Sequence, residues 1–348
     1  MTTKNARLFF ENFTGKPSTD FFTLAQSGSS RINFVGKNAT DNYILTFNEN
    51  LRENESFYYF SNVFKELGLN TPEIFKISQD RQLYIQEFLG ENTLSEIIEN
   101  EGLTVRVSAL VKKTLSKLAE LQQKTSDKID YSKTFEYENY DELPITNDLF
   151  YFKSFIVDVL EIPYHKASLL KEFKKLTARI ASLEATGMMM RDFQARNIMV
   201  DEKDEIYFID YQSAMKGPLM YDVVSFLFQA KANFPEDFKS EMLSYYYSLW
   251  QFEQKISQLQ DSLKPIQLIR FMQVLGAYGF RGLIQRKKHF ISSLDQGMKN
   301  LQNFSSSWEE MNEYPELKNL ISHLKSEDVE NKIKNLILNH REIKKHDL

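Results

Sequence analysis

A chain of 348 residues in which 42% are hydrophobic is long enough for two compact units with a sizeable core. Its 43 Lys and Arg are interspersed with 48 Asp and Glu to a net charge of −5, which leaves no basic excess for gripping nucleic acid by its phosphates. No cysteine is present, so disulfides, thiolate metal sites and a catalytic thiol are excluded, while 28 Phe and 17 Tyr favour packed structure over disorder.

Residues Met1 to Arg7 carry no apolar leader run, and no stretch approaches the ~20 apolar residues of a membrane-spanning helix. The reading is a cytoplasmic protein with no membrane partner and no nucleic-acid partner. Arg31–Gly36 and Asn42–Phe47 are rich in β-branched and aromatic residues, and Gly36-Lys37-Asn38 offers turn chemistry between them, so a hairpin is expected. Asn54–Leu67 reads as a helix stopped by Gly68 and Pro72. Glu73–Ile77 and Gln82–Phe88 flank the polar Ser78-Gln79-Asp80-Arg81 as a second hairpin. The first ninety residues thus read as two strands, a helix and two strands.

Beyond Gly90 the pattern turns helical. Thr93 with Glu96 three positions on is a capping signal. Val107, Val111, Leu115, Leu118 and Leu121 recur every three or four residues, as do Leu169, Phe173, Leu176, Ile180 and Leu183. The polar stretch Thr125–Asn147 between them reads as a long loop, a candidate substrate-facing insert. Ile206–Ile209 is a short apolar strand closed by Asp210, and from Pro218 the chain is mostly helical, ending in an amphipathic tail over Ser326–Leu348. The class is α+β, a small β-rich N-terminal lobe followed by a large helical lobe.

The chemistry concentrates in Met190-Arg191-Asp192-Phe193-Gln194-Ala195-Arg196-Asn197-Ile198-Met199-Val200, followed by Tyr207-Phe208-Ile209-Asp210-Tyr211-Gln212. Phosphoryl transfer needs one carboxylate to orient and deprotonate a hydroxyl, and hard oxygen ligands to hold Mg²⁺ against nucleotide phosphates. A loop with Asp192 and Asn197 facing a strand end with Asp210 supplies that set. Arg196 is read two ways, as a cation for the transferring phosphoryl group or as a salt bridge to a structural carboxylate. The five histidines, at 165, 289, 323, 340 and 346, are scattered, which argues against zinc, and no Gly-x-Ser-x-Gly elbow supports a serine hydrolase.

These residues resemble the aminoglycoside phosphotransferase and choline kinase family, which shares the protein-kinase fold. The longer match, adding Gly217-Pro218-Leu219-Met220-Tyr221-Asp222, is similar to the bacterial branch of N-acetylmuramate and N-acetylglucosamine anomeric kinases. The resemblance is strongest over 188–230. It implies a bilobal kinase-like fold, with 1–89 as the nucleotide-binding lobe and 90–348 as the helical lobe carrying the catalytic loop and acceptor site. It implies ATP and Mg²⁺ as cofactors, Asp192 as catalytic base with Arg196 beside it, Asn197 and Asp210 as metal ligands, and Asp222 as a structural anchor. Ser27, Gly28, Ser29 and Arg31 stand where a phosphate-covering loop belongs, and Glu87 lies in the expected hinge.

Two positions depart from the family pattern. Met190 replaces the usual histidine, and Tyr43–Phe47 contains no lysine for the phosphates, leaving Arg31 or Lys37 as substitutes. Without that lysine, Glu53 and Glu55 are expected on the surface. Eleven residues separate Asp210 from Asp222, too few for a peptide-binding platform, so the acceptor is expected to be a small molecule, a sugar if the branch resemblance holds. Rival acceptors are an aminoglycoside or choline, and the rival class is a non-catalytic nucleotide-binding pseudokinase.

Overall fold

The computed structural model describes residues 1–25 and 30–346, with side chains of the last helix described to residue 338. Two compact units emerge: residues 1–138 with 187–216 and 241–249, and residues 139–186 with 217–240 and 250–348.

The first unit is built on a five-stranded antiparallel sheet. It begins with a helix α1 (Thr3–Thr14), started by the Thr2 hydroxyl accepting from the Asn5 amide and ended by Gly15 at φ 65°. Strands β1 (Asp20–Thr23), β2 (Ile32–Lys37) and β3 (Asn42–Phe47) follow, then helix α2 (Leu51–Glu66) and strands β4 (Ile74–Ile77) and β5 (Leu83–Glu87). The strand order is β1-β2-β3-β5-β4. Both expected hairpins are present, preceded by α1 and β1, which the pattern reading passed over.

Side chains alternate across a strand, so the sheet has two distinct faces. Phe21 of β1, Phe34 of β2, Leu45 and Phe47 of β3, and Leu83 and Ile85 of β5 point one way and are buried under Ala6 and Phe10 of α1. Gly36 belongs to this layer and not to the turn, which Asn38 closes instead by accepting from the Thr40 and Asp41 amides. A Cβ on Gly36 would stand 2.8 Å from the Phe10 ring, so α1 is packed directly on the glycine. The opposite face carries Asn33, Thr46 and Gln86 in a hydrogen-bonded row, Thr46 Oγ1 donating to Asn33 Oδ1 at 2.8 Å and Gln86 Nε2 donating to Thr46 Oγ1 at 3.3 Å.

Asn50 caps α2, whose first residue Leu51 lies three residues ahead of the expected start, and Gly68 at φ 63° ends it. The Thr93–Glu96 capping box forms in full and opens the helix Leu94–Glu101. The first helical stripe lies in Val105–Lys124 with Val107, Val111, Leu115 and Leu118 fully buried.

The second unit is helical. The helix Glu142–Phe152, capped by Asp141, occupies the end of the stretch read as a loop. Its Ile145, Leu149 and Phe152 are buried at helical spacing, a pattern obscured by the polar residues and the first-turn Pro144 around them. The helix Lys166–Ala181 carries the second stripe and uses the Glu172 carboxylate to accept from the Glu316 and Leu317 amides (2.9 and 2.7 Å) at the start of the helix Pro315–Ser322. The helix Glu253–Tyr278 runs into a π-helical turn at Gly279–Ile284, which abuts a second π-helical turn at Lys153–Asp158. A Cβ on Gly279 would fall 2.1 Å from the Phe155 carbonyl oxygen, so only glycine permits that approach. Asp222 is fully buried in the first turn of Met220–Leu227. Among the described residues, no helix is long and apolar enough to cross a membrane.

Candidate active site

Asp192, Asn197 and Asp210 are brought together within the first unit by a short hairpin. Ile198–Val200 pairs antiparallel with Ile206–Phe208, and Asp201 closes the turn by accepting from the Lys203 and Glu205 amides. The Ile209 amide then donates to the Asn197 carbonyl at 3.0 Å, setting Asp210 next to Asn197 across the strand ends.

Asn197 reaches back along the loop. Its side-chain nitrogen donates to the Asp192 carbonyl at 2.9 Å, which ties the two ends of the loop and leaves the amide oxygen as its remaining acceptor. The Asp192 amide bonds the Met190 carbonyl across Arg191, whose φ of 72° lies in the left-handed region. Asp210 has φ 65° as well. Arg191, next to Asp192, and Asp210 itself are thus two of the eight described non-glycine residues in that region. Met190, in place of a histidine, is buried and contributes packing. The Asp192 carboxylate has no hydrogen-bond or ion-pair partner among the described residues. Arg196 is exposed and likewise pairs with no carboxylate among them, so its salt-bridged reading is not realised, although its charge is felt at Asp210.

The Asp210 segment is fixed by one face of α2. Glu53, Ser56, Phe57, Ser61 and Phe64 recur at helical spacing on that face. Ser56 Oγ donates to the Gln212 carbonyl at 2.9 Å, and Ser61 Oγ is 2.7 Å from the Tyr211 hydroxyl. Phe57 stacks on Tyr211 at 4.9 Å and meets Tyr84 of β5 at 5.3 Å, an aromatic relay from the sheet to the Asp210 segment.

Arg31 stands at the entry to β2 and joins this assembly. Its Nη2 donates to Asp210 Oδ1, its Nη1 to Gln212 Oε1 at 3.1 Å, and its Nε lies 3.6 Å from Glu53 Oε1. Glu53 also accepts from Asn48 Nδ2 at 2.8 Å and its side chain is only 14% exposed, which corrects the expectation that it is a surface residue. Glu55 does lie on the surface, paired with Arg81. Lys37 pairs with Glu91 instead of joining the site. Burial works against the Arg31 charge, but Asp210, Tyr84 and Glu53 more than compensate and raise its pKa. At Asp210, burial favours the neutral acid, yet the charge and hydrogen bond of Arg31, with help from Gln212 and Arg196, hold the carboxyl below its ordinary range. Missing the Arg31–Glu53 link has a clear cause. The two residues are 22 apart, and only the packing of α2 beside the start of β2 brings them together.

Among the described residues, no three His, Asp or Glu side chains cluster as a metal cage. The donors present, an amide oxygen on Asn197 and the Asp210 carboxylate, suit a hard cation that completes its shell with phosphate oxygens and water. Glu87 is tied to Glu73 twice: its carboxylate accepts from the Glu73 amide at 3.2 Å and its own amide donates to the Glu73 carbonyl at 2.8 Å. Ser27, Gly28 and Ser29 lie outside the described residues.

Residues 23–258 match the model of a phosphotransferase enzyme family, APH. No curated protein matches the chain at a significant level. Among solved structures, the choline kinase LicA from Streptococcus pneumoniae superposes with a TM-score of 0.57 at 15% identity, covering 87% of this chain and 100% of that one. A spectinomycin phosphotransferase bound to ADP and spectinomycin gives 0.58 at 12% identity over 87% of this chain and 94% of its own. A Plasmodium vivax ethanolamine kinase gives 0.53 at 16% identity over 82% of both chains. At such identities the likeness establishes a protein-kinase-like α+β fold.

Proposed function

The chain belongs to the phosphotransferase enzyme family, and on that footing we propose that it transfers the terminal phosphoryl group of ATP to a hydroxyl of a small amino sugar. The observation that carries the catalytic part is the bond from Asn197 to the Asp192 carbonyl beside Asp210. The loop 192–197 and the hairpin that follows it thereby present two oxygen donors and a carboxylate with no partner among the described residues. Binding of ADP by the spectinomycin phosphotransferase supports a nucleotide in the same fold.

In this reading Asp192 orients the acceptor hydroxyl and takes its proton as the oxygen bonds to the terminal phosphorus and the bond to the departing ADP breaks. Asn197 and Asp210 would hold Mg²⁺, which when bound neutralises charge on the phosphate oxygens. Arg196, exposed and without a carboxylate partner among the described residues, adds positive charge near the transferring group. Arg31 contacts the phosphates, Ser27, Gly28 and Ser29 are the residues the sequence offers for a phosphate loop, and Glu87 is the residue it offers for the hinge. For the acceptor, support comes from the resemblance of Arg191–Met199, Ile209–Gln212 and Gly217–Asp222 to the anomeric sugar kinases and from the short span between Asp210 and Asp222.

The test is ADP release with Mg²⁺ and ATP across N-acetylmuramate, N-acetylglucosamine, other hexoses, choline and an aminoglycoside. We expect turnover on an amino sugar and a loss on the order of 10²- to 10⁴-fold in Asp192→Asn with nucleotide affinity kept. Turnover on choline or the aminoglycoside alone would refute the sugar assignment. Undiminished turnover in the variant would remove Asp192 from its role.

A further inference from the structure

We infer that Arg31 is a movable counter-charge that holds Asp210 before a divalent cation arrives and then, still steered by Glu53, moves to a nucleotide phosphate. The inference rests on Asp210 being a metal ligand and goes beyond it by coupling two binding events through one side chain.

The geometry divides the guanidinium into two ends. The Nε side faces Glu53 at 3.6 Å, while the two terminal nitrogens reach Asp210 and Gln212. Glu53 sits on α2 and is itself fixed by Asn48, so that end has a stationary anchor. The other end grips a carboxylate that a cation would claim. Arg31 is the cation in direct contact with Asp210, and Arg196 adds a further positive charge without contacting it, so a metal ion reaching Asp210 must displace the Arg31 guanidinium. Once a cation shares Asp210, Arg31 faces like charge there and keeps its attraction to Glu53. Five donors on a planar fork then fit it for phosphate oxygens.

The location supports the same conclusion. On the polar face of β3, Thr46 is committed to Asn33 and Gln86, and β3 carries no lysine or arginine, so that strand offers no cation. Arg31 supplies one from the entry to the neighbouring strand β2. Glu53 is then a positioning residue. Because Arg31 must leave Asp210 for either ligand to bind well, metal and nucleotide should each improve the other's affinity by the same factor.

The experiment titrates Mn²⁺ alone, read by water-proton relaxation, and ADP with and without Mn²⁺, read by calorimetry. It uses the full chain and its Arg31→Met, Arg31→Lys, Glu53→Gln, Glu53→Asp and Asp210→Asn variants, each melted first to verify folding. We expect Arg31→Met to bind Mn²⁺ alone about ten-fold more tightly and Mn²⁺–ADP about ten-fold more weakly, as the loss of one nearby charge implies. Arg31→Lys should fall between, and it answers the question if the methionine variant does not fold. Glu53→Gln should weaken Mn²⁺–ADP with Arg31 intact, and Glu53→Asp should recover part of the loss. Unchanged or weaker Mn²⁺ binding in Arg31→Met, with Asp210→Asn deficient, overturns the counter-charge while sparing the metal site. Wild-type Mn²⁺ affinity in Asp210→Asn overturns the metal assignment itself.

Discussion

Leu45 and Thr46 are neighbours in β3 and equally buried, yet the pleat sends them to opposite faces of the sheet. Leu45 joins Phe10, Phe34 and Ile85 in an apolar layer sealed by α1. Thr46 joins Asn33 and Gln86 in a polar row whose strands lead, through Tyr84 and Phe57, to the Asp210 segment. The apolar face gives stability through area and close fit. The polar face places charged and hydrogen-bonding groups, and its oriented donors and acceptors are useful only while the other face keeps the sheet rigid.

Three changes would break or sharpen that contrast. Phe10→Ala removes a fully buried ring from the apolar face and should cost about 3–5 kcal/mol of unfolding free energy in a denaturant titration. Nucleotide affinity of the molecules still folded should be unchanged, and a drop in both would show that the faces are not separable. Gly36→Ala thrusts a methyl group against the same ring and should cost about 1–3 kcal/mol through overpacking. An unchanged melting temperature would mean that α1 yields easily.

Tyr84→Phe tests the polar side and should have the smallest effect at neutral pH. Burial, opposed in part by the Arg31 charge, pushes the Tyr84 hydroxyl up to about 12. A folded value above the unfolded ~10 means the contribution is intact below pH 10 and fades as pH rises toward 12, because the unfolded chain gives up this proton first. The variant should therefore lose less stability than wild type between pH 10 and 12. Parallel stability curves there would contradict a buried neutral Tyr84.

How much of this was legible in the sequence differs by region. The hairpins and the stripes of Val105–Lys124 and Lys166–Ala181 were readable because alternation and helical spacing are local signals. The helix Glu142–Phe152 was hidden because its apolar residues are sparse among polar ones and their partners lie in other helices. α1 is legible too, because Thr2, Ala6, Phe9, Phe10, Phe13 and Gly15 spell a capped amphipathic helix, although it lies outside the elements the pattern reading takes up. At the site, Asp192, Asn197 and Asp210 were legible through the spacing of one loop and one strand.

The sequence by itself determined the α+β class, the family and the grouping of two carboxylates and an amide, because these depend on residue types a few positions apart. Only the tertiary structure decided that Gly36 serves packing, that Glu53 faces inward and that Arg31 meets Asp210 179 positions away. Such pairings are set by which faces of sheet and helix come together. That choice minimises exposed apolar surface over the whole unit and leaves no trace in local spacing.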